Sequence, residues 1–286
     1  MYKVLFNKKI NANSYEILVE APIQIKNALP GQFVIVMAKE TSERIPLTIY
    51  DYDKQNGLLH LIYQVVGAST LELSHVIGEV YSVVGPLGNP NEICKNPEEF
   101  RNRRIVYVAG GVGIAPVYPQ VKYLHDLGFE IDVIYGAREA NLFMIRDKIE
   151  KVARKVMYAT DDGSFGKKGF VTDILKENID KYDLCVAIGP VIMMKNVANL
   201  TKEYNLQTIV SMNPIMVDGS GMCGACRCEI EGKPKFACID GPEFDGHKVN
   251  FDLAMKRMNI YKEEEQELLN KMRNSIVSEQ ERSNDW

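Results

Sequence analysis

The sequence predicts a β plus α/β protein: an N-terminal antiparallel β-barrel, a doubly wound parallel α/β domain, and a small cysteine-rich segment followed by a helical tail. Short strand-like runs separated by turn residues fill positions 2 to 98. From Arg104 onward, continuous apolar runs alternate with helical stretches. Four of the six cysteines then lie between residues 223 and 238. We therefore expect parts at residues 1–98, 99–212, 213–250 and 251–286.

Composition and charge narrow the function classes. The 286 residues are 46% hydrophobic and 25% charged, which is ordinary for a globular protein, and the net charge of −4 gives no basic footprint for nucleic acid. No apolar run approaches the roughly 18 residues that a membrane span needs. The first residues lack the layout of a signal peptide. We expect a cytoplasmic protein that binds neither nucleic acid nor membrane, with its thiols kept reduced.

The N-terminal part has six strand-like runs. They are residues 3–6, 15–19, 33–37, 45–50, 58–64 and 80–84. Turn residues separate them, as at 29–31 and 55–57, and a Gly/Pro-rich turn at 85–90 follows the last run. Short strands with regular turns predict a small antiparallel barrel.

Two stretches of this barrel could bind a ligand. Arg44 precedes Pro46 and Thr48 at a strand start; an arginine can pair with a phosphate, and a threonine hydroxyl can reach a ring heteroatom. An ordinary strand with a surface arginine fits the same residues. The second stretch, residues 67–70, consists of small residues that open a helix and leave N–H groups for an anion, although a simple N-cap is the alternative.

The α/β part opens with a glycine-rich loop. The apolar run 105–109 is followed by Gly110, Gly111 and Gly113, and then by a helical stretch at 117–127. A strand, a glycine loop and a helix form the unit that cradles phosphates, although the spacing is not G-x-G-x-x-G. A tight turn without a ligand remains the alternative.

Further strands and helices alternate after this unit. Strands are predicted at 131–135, 155–159, 184–188 and 208–211, and helices at 141–152, 171–176 and 191–204. The unusual loops at 110–116, 136–138, 161–164 and 189–190 all follow strands. Ligands of such folds bind beyond the carboxyl ends of the strands, so these loops predict a nucleotide site at that edge.

The cysteine-rich segment has the spacing of a metal cluster. Asp218, Cys223, Cys226 and Cys238 reproduce the plant-type iron–sulfur spacing of four and then two intervening residues, with an aspartate as the first ligand. Glycines around them let the backbone wrap closely around a compact group. The leading hypothesis is a [2Fe–2S] cluster held by three thiolates and one carboxylate.

Other interpretations of these residues stay open. Zinc accepts three thiolates and a fourth ligand, for which Cys228 or His247 is available. Asp218 stands before a glycine and could be an ordinary turn residue. Cys228 competes with Asp218 as the fourth cluster ligand, but a strand-like run follows it, and we interpret it as a small buried residue near the cluster.

Three motifs occur together in this chain: residues 44–48 on the barrel, the glycine loop at 110–116 and the cysteine-rich segment. Their combination resembles the ferredoxin–NADP reductase superfamily of FAD and NAD modules. The likeness is closer to iron–sulfur electron-transfer subunits such as that of dihydroorotate dehydrogenase. It is closer still to the small (alpha) subunits of NADH-dependent reduced ferredoxin:NADP+ oxidoreductase, a sulfide dehydrogenase-like type. The resemblance covers about residues 1–250. Asp218 replaces the first cluster cysteine of the dihydroorotate-linked type, which favours the ferredoxin-linked type.

The resemblance implies FAD on the barrel and NAD(H) on the α/β domain. The residues implied for FAD are Arg44, Pro46, Leu47, Thr48, Tyr63, Gln64, Gly67, Ala68, Ser69 and Thr70. Those implied for the nicotinamide nucleotide are Gly110, Gly111, Gly113, Asp161, Gly189 and Pro190. Arg44 stands one position earlier than the arginine usual in the superfamily. We expect NAD(H) rather than NADP(H), because a 2′-phosphate calls for a cluster of cations and Arg138 stands alone near the relevant strand end.

The predicted function is electron transfer. NADH would reduce FAD, a [2Fe–2S] cluster would relay the electrons, and a larger flavin and iron–sulfur subunit would receive them in a heterodimer, in electron-bifurcating oxidoreduction of ferredoxin and NADP(H). The cofactors carry this chemistry, so no acid or base residue is assigned. The alternatives are the electron-transfer subunit of dihydroorotate dehydrogenase, a stand-alone NAD(P)H–flavin reductase, and a zinc-stabilised nucleotide-binding module.

The tail from residue 251 to about 278 is helical in pattern and highly charged. An apolar stripe is predicted from Leu253, Met255, Met258, Ile260, Leu268, Leu269 and Met272. A helix packed on its own protein and a docking arm for a larger partner both fit one such stripe.

Overall fold

The structure is a computed structural model that describes the backbone of residues 1–284 and the side chains of residues 1–274. It contains a barrel-like antiparallel sheet, a mainly parallel sheet flanked by helices, and a small hairpin. Within this described part, no helix is both long and apolar enough to cross a membrane.

The N-terminal sheet closes on itself. Its elements are β1 Tyr2–Lys9, β2 Ser14–Glu20, α1 Pro22–Ile25, β3 Phe33–Met37, β4 Ile45–Asp53, β5 Leu58–Gln64, α2 Ala68–Ser74, β6 Glu79–Val80 and β7 Ser82–Leu87. The strands are ordered β6-β1-β2-β5-β4-β3-β7, and all neighbours are antiparallel. Tyr81 alone separates the two edge strands in the sequence, so the sheet curls until its ends meet. The predicted antiparallel barrel is confirmed.

Two faces alternate along the barrel strands, as expected for a period of two residues. On β4, Ile45, Leu47 and Ile49 pack in the barrel core. Pro46 and Thr48 between them face outward, toward the second sheet. The predicted strand at 80–84 is instead interrupted at Tyr81, because β6 pairs with β1 whereas β7 pairs with β3.

The second sheet has the predicted doubly wound arrangement. After α3 Glu92–Lys95, its elements are β8 Ile105–Gly110, α4 Ile114–Asp126, β9 Ile131–Ala137, α5 Arg146–Val152, β10 Lys155–Thr160, β11 Lys167–Lys168, α6 Val171–Asn178, β12 Leu184–Ile188, α7 Val191–Glu203 and β13 Gln207–Ser211. The order is β11-β10-β9-β8-β12-β13, and the pairs are parallel.

Two helices of this domain differ from the prediction at their start. Helix α4 begins at Ile114, because Pro116 is tolerated in the first turn of a helix, where its missing N–H has no intrahelical partner to lose. Helix α5 begins at Arg146 rather than near 141, because Ile145 takes a left-handed conformation with φ of 51° and breaks the preceding turn.

The C-terminal part is attached to both neighbours. It contains β14 Arg227–Ile230, β15 Lys233–Phe236, β16 Glu243–Asp245, α8 Phe251–Met258 and α9 Lys262–Asn284. Strands β14 and β15 form a hairpin, whereas β16 pairs antiparallel with β13 and extends the parallel sheet. Helix α8 packs against α7.

Helix α9 reaches back to α2 of the barrel. The predicted apolar stripe of the tail is accordingly divided. Leu269 is buried and Met255 packs against the core, whereas Leu253, Met258, Ile260 and Leu268 are exposed. Part of the stripe therefore holds the tail on its own chain, and part remains on the surface.

Candidate functional site

A cavity of about 990 Å³ lies between the barrel and the parallel sheet. The barrel contributes residues of β4 and β5. The parallel sheet contributes the loops that follow β8, β9, β10 and β12, which is the edge where ligands of such sheets bind. The predicted nucleotide edge of the sheet and the predicted ligand strand of the barrel therefore face the same space.

Most residues predicted to hold cofactors line this cavity. They are Pro46, Leu47, Thr48, Tyr63, Gln64, Thr70, Gly110, Gly111, Gly113, Arg138, Asp161, Gly189 and Pro190. Arg44, Gly67, Ala68 and Ser69 are not among the lining residues.

The barrel wall of the cavity is built by the outward face of two strands. Pro46 and Thr48 belong to this face, while the Leu47 side chain packs in the barrel core. Tyr63 also points into the barrel, where its hydroxyl donates to Asn7 Oδ1 at 2.9 Å and its ring stacks on Tyr15. Tyr63 thus shapes the wall without presenting its hydroxyl to the cavity.

Local hydrogen bonds occupy the start of α2, the predicted anion site. The Thr70 hydroxyl accepts the N–H groups of Val66 and Gly67, at 3.0 and 3.1 Å. The Ser69 hydroxyl donates to the Glu43 carboxylate. These bonds are those of a simple helix cap, the alternative considered from the sequence. A pyrophosphate site at Gly67–Thr70 stays a prediction.

The glycine loop after β8 is shaped by close packing. A Cβ on Gly113 would lie 2.2 Å from the Ile188 carbonyl oxygen, and one on Gly110 would lie 2.5 Å from Met193 Sδ. Both glycines let the loop approach β12 and α7. Gly111 differs, because its φ is +54° and no atom lies within 4 Å of its Cβ position. Its backbone is open to the cavity, so this position fits the close approach of a phosphate or a nicotinamide.

Several lining residues were not predicted, including Asn11, Phe33, Met193 and Asn213. Asn11 joins the two domains, because its side-chain amide donates to the Leu142 carbonyl at 3.0 Å. No local pattern marks these positions. They come together because distant strands and loops meet at the cavity.

The cavity wall is mostly apolar and carries little charge. Among the lining residues of the described chain, Arg138 is the one cation and Asp161 the one anion. A mostly apolar space lined in part by glycine backbone fits flavin and nicotinamide rings. One arginine does not make the cationic cluster that a 2′-phosphate calls for.

The loop of residues 212–226, which we call the cysteine loop, brings Cys226 close to Cys238, which follows the hairpin of β14 and β15. Cys226 Sγ and Cys238 Sγ lie 3.2 Å apart and both residues are buried. The backbone N–H of Gly221 bonds to the Cys238 thiol. Burial, with a contribution from Cys226, raises the pKa of Cys238 to about 12. In the absence of a metal, the Cys238 thiol is therefore protonated at neutral pH.

The two other predicted ligands lie on the same loop. Asp218 accepts the backbone N–H groups of Ser220 and Cys223, at 2.9 and 2.8 Å, and Cys223 is exposed. In the described part of the chain, no three His, Cys, Asp or Glu side chains already converge as a ligand set. The carboxylate of Asp218 would have to turn from the backbone to reach a cluster, and its ligand role stays a prediction.

The side chains proposed as fourth zinc ligands are engaged elsewhere. His247 Nε2 lies 3.0 Å from the Thr201 hydroxyl. Cys228 is buried in β14, where its thiol donates to the Cys226 carbonyl oxygen at 3.8 Å. The donors that remain are the thiols of Cys223, Cys226 and Cys238 and the carboxylate of Asp218. Backbone N–H groups bond to Asp218 and to Cys238, and this set fits an iron–sulfur cluster better than a structural zinc site.

The cysteine loop rests directly on the barrel. A Cβ on Gly219 would lie 2.6 Å from Leu87 Cδ1 and 2.8 Å from Ile35 Cδ1, and Gly219 has a φ of +74°. Ile35 belongs to β3, the neighbour of the cavity-lining strand β4. The cysteine loop and the cavity are thus placed on the same side of the barrel sheet.

Comparison with known proteins assigns both C-terminal parts. Residues 107–199 match the oxidoreductase NAD-binding domain, and residues 213–250 match the iron–sulfur cluster binding domain of dihydroorotate dehydrogenase B. The chain is 44% identical to the Thermotoga maritima dihydroorotate dehydrogenase B (NAD(+)) electron transfer subunit homolog, over 90% of each chain. The chain belongs to the dihydroorotate dehydrogenase B electron-transfer subunit family.

Two further proteins are similar to this chain over nearly its whole length. A Clostridium beijerinckii protein named for the adh 3′ region is 48% identical over 93% of this chain and 92% of its own. The solved structure of an NADH-dependent reduced ferredoxin–NADP oxidoreductase, described for flavin-based electron bifurcation, is 40% identical. It covers 95% of this chain and 98% of its own, with a TM-score of 0.87.

These comparisons confirm the predicted resemblance and the oxidoreductase class. The predicted FAD, iron–sulfur cluster and NAD(H), together with a larger partner subunit, are confirmed at the level of the family. The assignment of individual residues to these cofactors stays a prediction.

Proposed function

We propose that this chain is the small subunit of an electron-bifurcating oxidoreductase, in which it connects NADH to a larger flavin and iron–sulfur subunit that handles ferredoxin and NADP(H). One observation carries the proposal: the cavity wall formed by β4 faces the glycine loop after β8, and the cysteine loop rests on the same barrel. This arrangement supports a nucleotide site, a flavin site and a cluster site in one chain.

The chain's own residues bind and orient in this proposal. Pro46 and Thr48 would hold the flavin ring, and Gly111 would admit the nicotinamide nucleotide beside it. Asp218, Cys223, Cys226 and Cys238 would hold the cluster. When bound, FAD supplies the exchange between hydride and single electrons, and the cluster supplies single-electron transfer.

NADH is the proposed nucleotide. Arg138 is the single cation among the described cavity-lining residues, and Asp161 lies on the same wall. A carboxylate repels the 2′-phosphate of NADPH, and one arginine offsets little of that repulsion.

The proposed exit for electrons is the exposed side of the cysteine loop. Cys223 is exposed, and the neighbouring Met222 is 89% exposed, with Ile239 at 49%. An apolar patch beside a redox site suits the docking of a partner protein. The free thiols of all six cysteines, which lie in the described chain, support a reducing, cytoplasmic setting as part of the proposal.

A second candidate is the electron-transfer subunit of dihydroorotate dehydrogenase itself. The match of residues 213–250 to the cluster domain of that enzyme favours it. The high structural similarity to the ferredoxin–NADP oxidoreductase, together with Asp218 in place of a cysteine, favours the first candidate.

The deciding experiment is anaerobic purification of the full chain followed by metal, flavin and spectroscopic analysis. We expect about one FAD and two irons per chain, and a reduced-cluster EPR signal after addition of NADH but a much weaker one after NADPH. Zinc in place of iron, or flavin without iron, would contradict the proposal. Purification of a tagged chain with its native partner would then separate the two candidates, because one partner oxidises dihydroorotate and the other reduces NADP+.

A further inference from the structure

Arg44 was expected near the flavin, but its guanidinium contacts the cysteine loop. Arg44 Nε donates to the carbonyl oxygen of Val217 at 2.6 Å, and Nη1 lies 3.9 Å from Met37 Sδ. The residue is partly buried and does not line the cavity. The bond joins positions 173 residues apart in the sequence.

The bond between Arg44 and Val217 joins the cavity wall to the predicted cluster ligands. Arg44 immediately precedes β4, the strand whose outward face forms the barrel wall of the cavity. Val217 immediately precedes Asp218, the predicted first cluster ligand. The bond therefore ties the start of the cavity strand to the start of the ligand loop.

A second arginine holds the same loop further along. Arg257 on α8 donates through Nη2 to the Ala225 carbonyl oxygen at 3.2 Å, and Ala225 immediately precedes Cys226. The loop is thus bonded to one arginine before Asp218 and to another before Cys226. The contact of Gly219 with Leu87 and Ile35 adds an apolar support between these bonds.

We infer that Arg44 is a positioning residue for the cluster loop, which fixes this loop on the cavity strand and places a positive charge beside the cluster, and that it is not a flavin phosphate ligand. The inference rests on the proposed function for the presence of the cluster. Reduction adds one negative charge to a cluster, so a nearby cation stabilises the reduced form and raises the reduction potential. A phosphate ligand, by contrast, would have to break the bond to Val217.

The test compares variants of the full anaerobic protein. Arg44→Gln removes the charge and keeps an amide donor, Arg44→Lys keeps the charge, and Arg44→Ala removes both. The matched control is Arg101→Gln, because Arg101 Nη1 also donates to a backbone carbonyl, that of Leu127, at 2.7 Å. Arg101 precedes β8 and Leu127 precedes β9, so this bond lies at the amino ends of these strands, opposite to the cavity loops. The measurements are FAD and iron per chain, the cluster potential from an EPR-monitored redox titration, and the EPR line shape.

We expect the FAD content of all four variants to equal that of the unmodified protein. The reduction potential of the cluster should become more negative in Arg44→Gln and Arg44→Ala, and the EPR line shape should also change in Arg44→Ala. Arg44→Lys and Arg101→Gln should both keep the potential of the unmodified protein. Loss of iron from Arg44→Ala alone would also support the positioning role.

Two results would overturn the inference. The first is loss of FAD from Arg44→Gln and Arg44→Ala at an unchanged cluster potential, which would make Arg44 a flavin ligand. The second is a cluster potential in Arg44→Ala equal to that of Arg101→Gln. Absence of iron from the unmodified protein is a separate outcome, because it contradicts the proposed function before any variant is compared.

Discussion

At the scale of single residues, Gly111 offers a direct test of the nucleotide site. Its φ of +54° is unfavourable for a side chain, and the space around its Cβ position is open to the cavity. Gly128 has the same two properties, with a φ of +83° and no neighbour within 4 Å, but it lies in the turn before β9, away from the cavity. Alanine at either position costs about 1–2 kcal/mol of backbone strain.

We predict that Gly111→Ala, but not Gly128→Ala, weakens NADH binding. The added methyl group occupies the space through which a nucleotide approaches the backbone, so the NADH concentration for half-maximal flavin bleaching should rise by roughly tenfold or more, about 1.4 kcal/mol. Both variants should lose similar thermal stability and keep their FAD. An equal change of NADH affinity in the two variants would show that strain, rather than the site, causes it.

At the scale of elements, two adjacent leucines of α9 differ in burial, and α9 packs against α2. Leu269 is 4% exposed, whereas Leu268 is 45% exposed. We predict that Leu269→Ala destabilises the docking of α9 by about 2–3 kcal/mol, and that Leu268→Ala changes it by less than about 0.5 kcal/mol. Hydrogen exchange of the α9 amides is the measurement. Equal exchange in the two variants would mean that α9 is held by something other than this buried side chain.

The same pair of leucines separates the two interpretations of the tail. Leu269 is buried on its own chain, while Leu268, Ile260 and Met258 form an exposed apolar surface. The sequence pattern could not show which of these side chains is buried. A period of 3.6 residues places them on one face of a helix but does not say what packs against each position.

At the scale of the whole molecule, Glu243 joins three parts of the chain. Its carboxylate accepts Asn91 Nδ2 at 2.8 Å from the segment between the domains, and Gln120 Nε2 at 3.0 Å from α4. Glu243 itself lies on β16. Burial raises its pKa from the usual 4.5 to about 7, which the two amide donors only partly offset.

The sign of the pH dependence follows from this shift. Between pH 4.5 and about 7 the folded chain holds a proton on Glu243 that the unfolded chain has released, so the free energy of unfolding falls as pH rises through this window. We predict that Glu243→Gln removes this fall in the free energy of unfolding, which is on the order of 2 kcal/mol. The control Glu99→Gln, at an exposed position, should leave the fall in place. Apparent melting temperatures from pH 5 to 8 provide the comparison, and an unchanged slope in Glu243→Gln would contradict the prediction.

The fold class could be predicted from the sequence, because local residue patterns determine most of its strands and helices. The strands Leu58–Gln64 and Leu184–Ile188 were predicted to the residue, and a glycine or an aspartate directly precedes each of them. Sequence reasoning did not reach the start of α5, which depends on the left-handed conformation of one isoleucine. Nor did it find the partner of Arg44 or the cavity contacts of Phe33 and Met193, because those depend on which distant segments the topology brings together.

The pairing of β16 with β13 has a consequence for protein engineering. The segment that carries the cysteines is not a separate folding unit, because its strand β16 pairs with β13 in the sheet of the preceding domain. A chimera that takes its cysteine segment from a relative would separate two paired strands if the crossover fell between them. The residues that such a chimera has to match are the facing pairs Ile209 and Asp245, Val210 and Phe244, and Ser211 and Glu243.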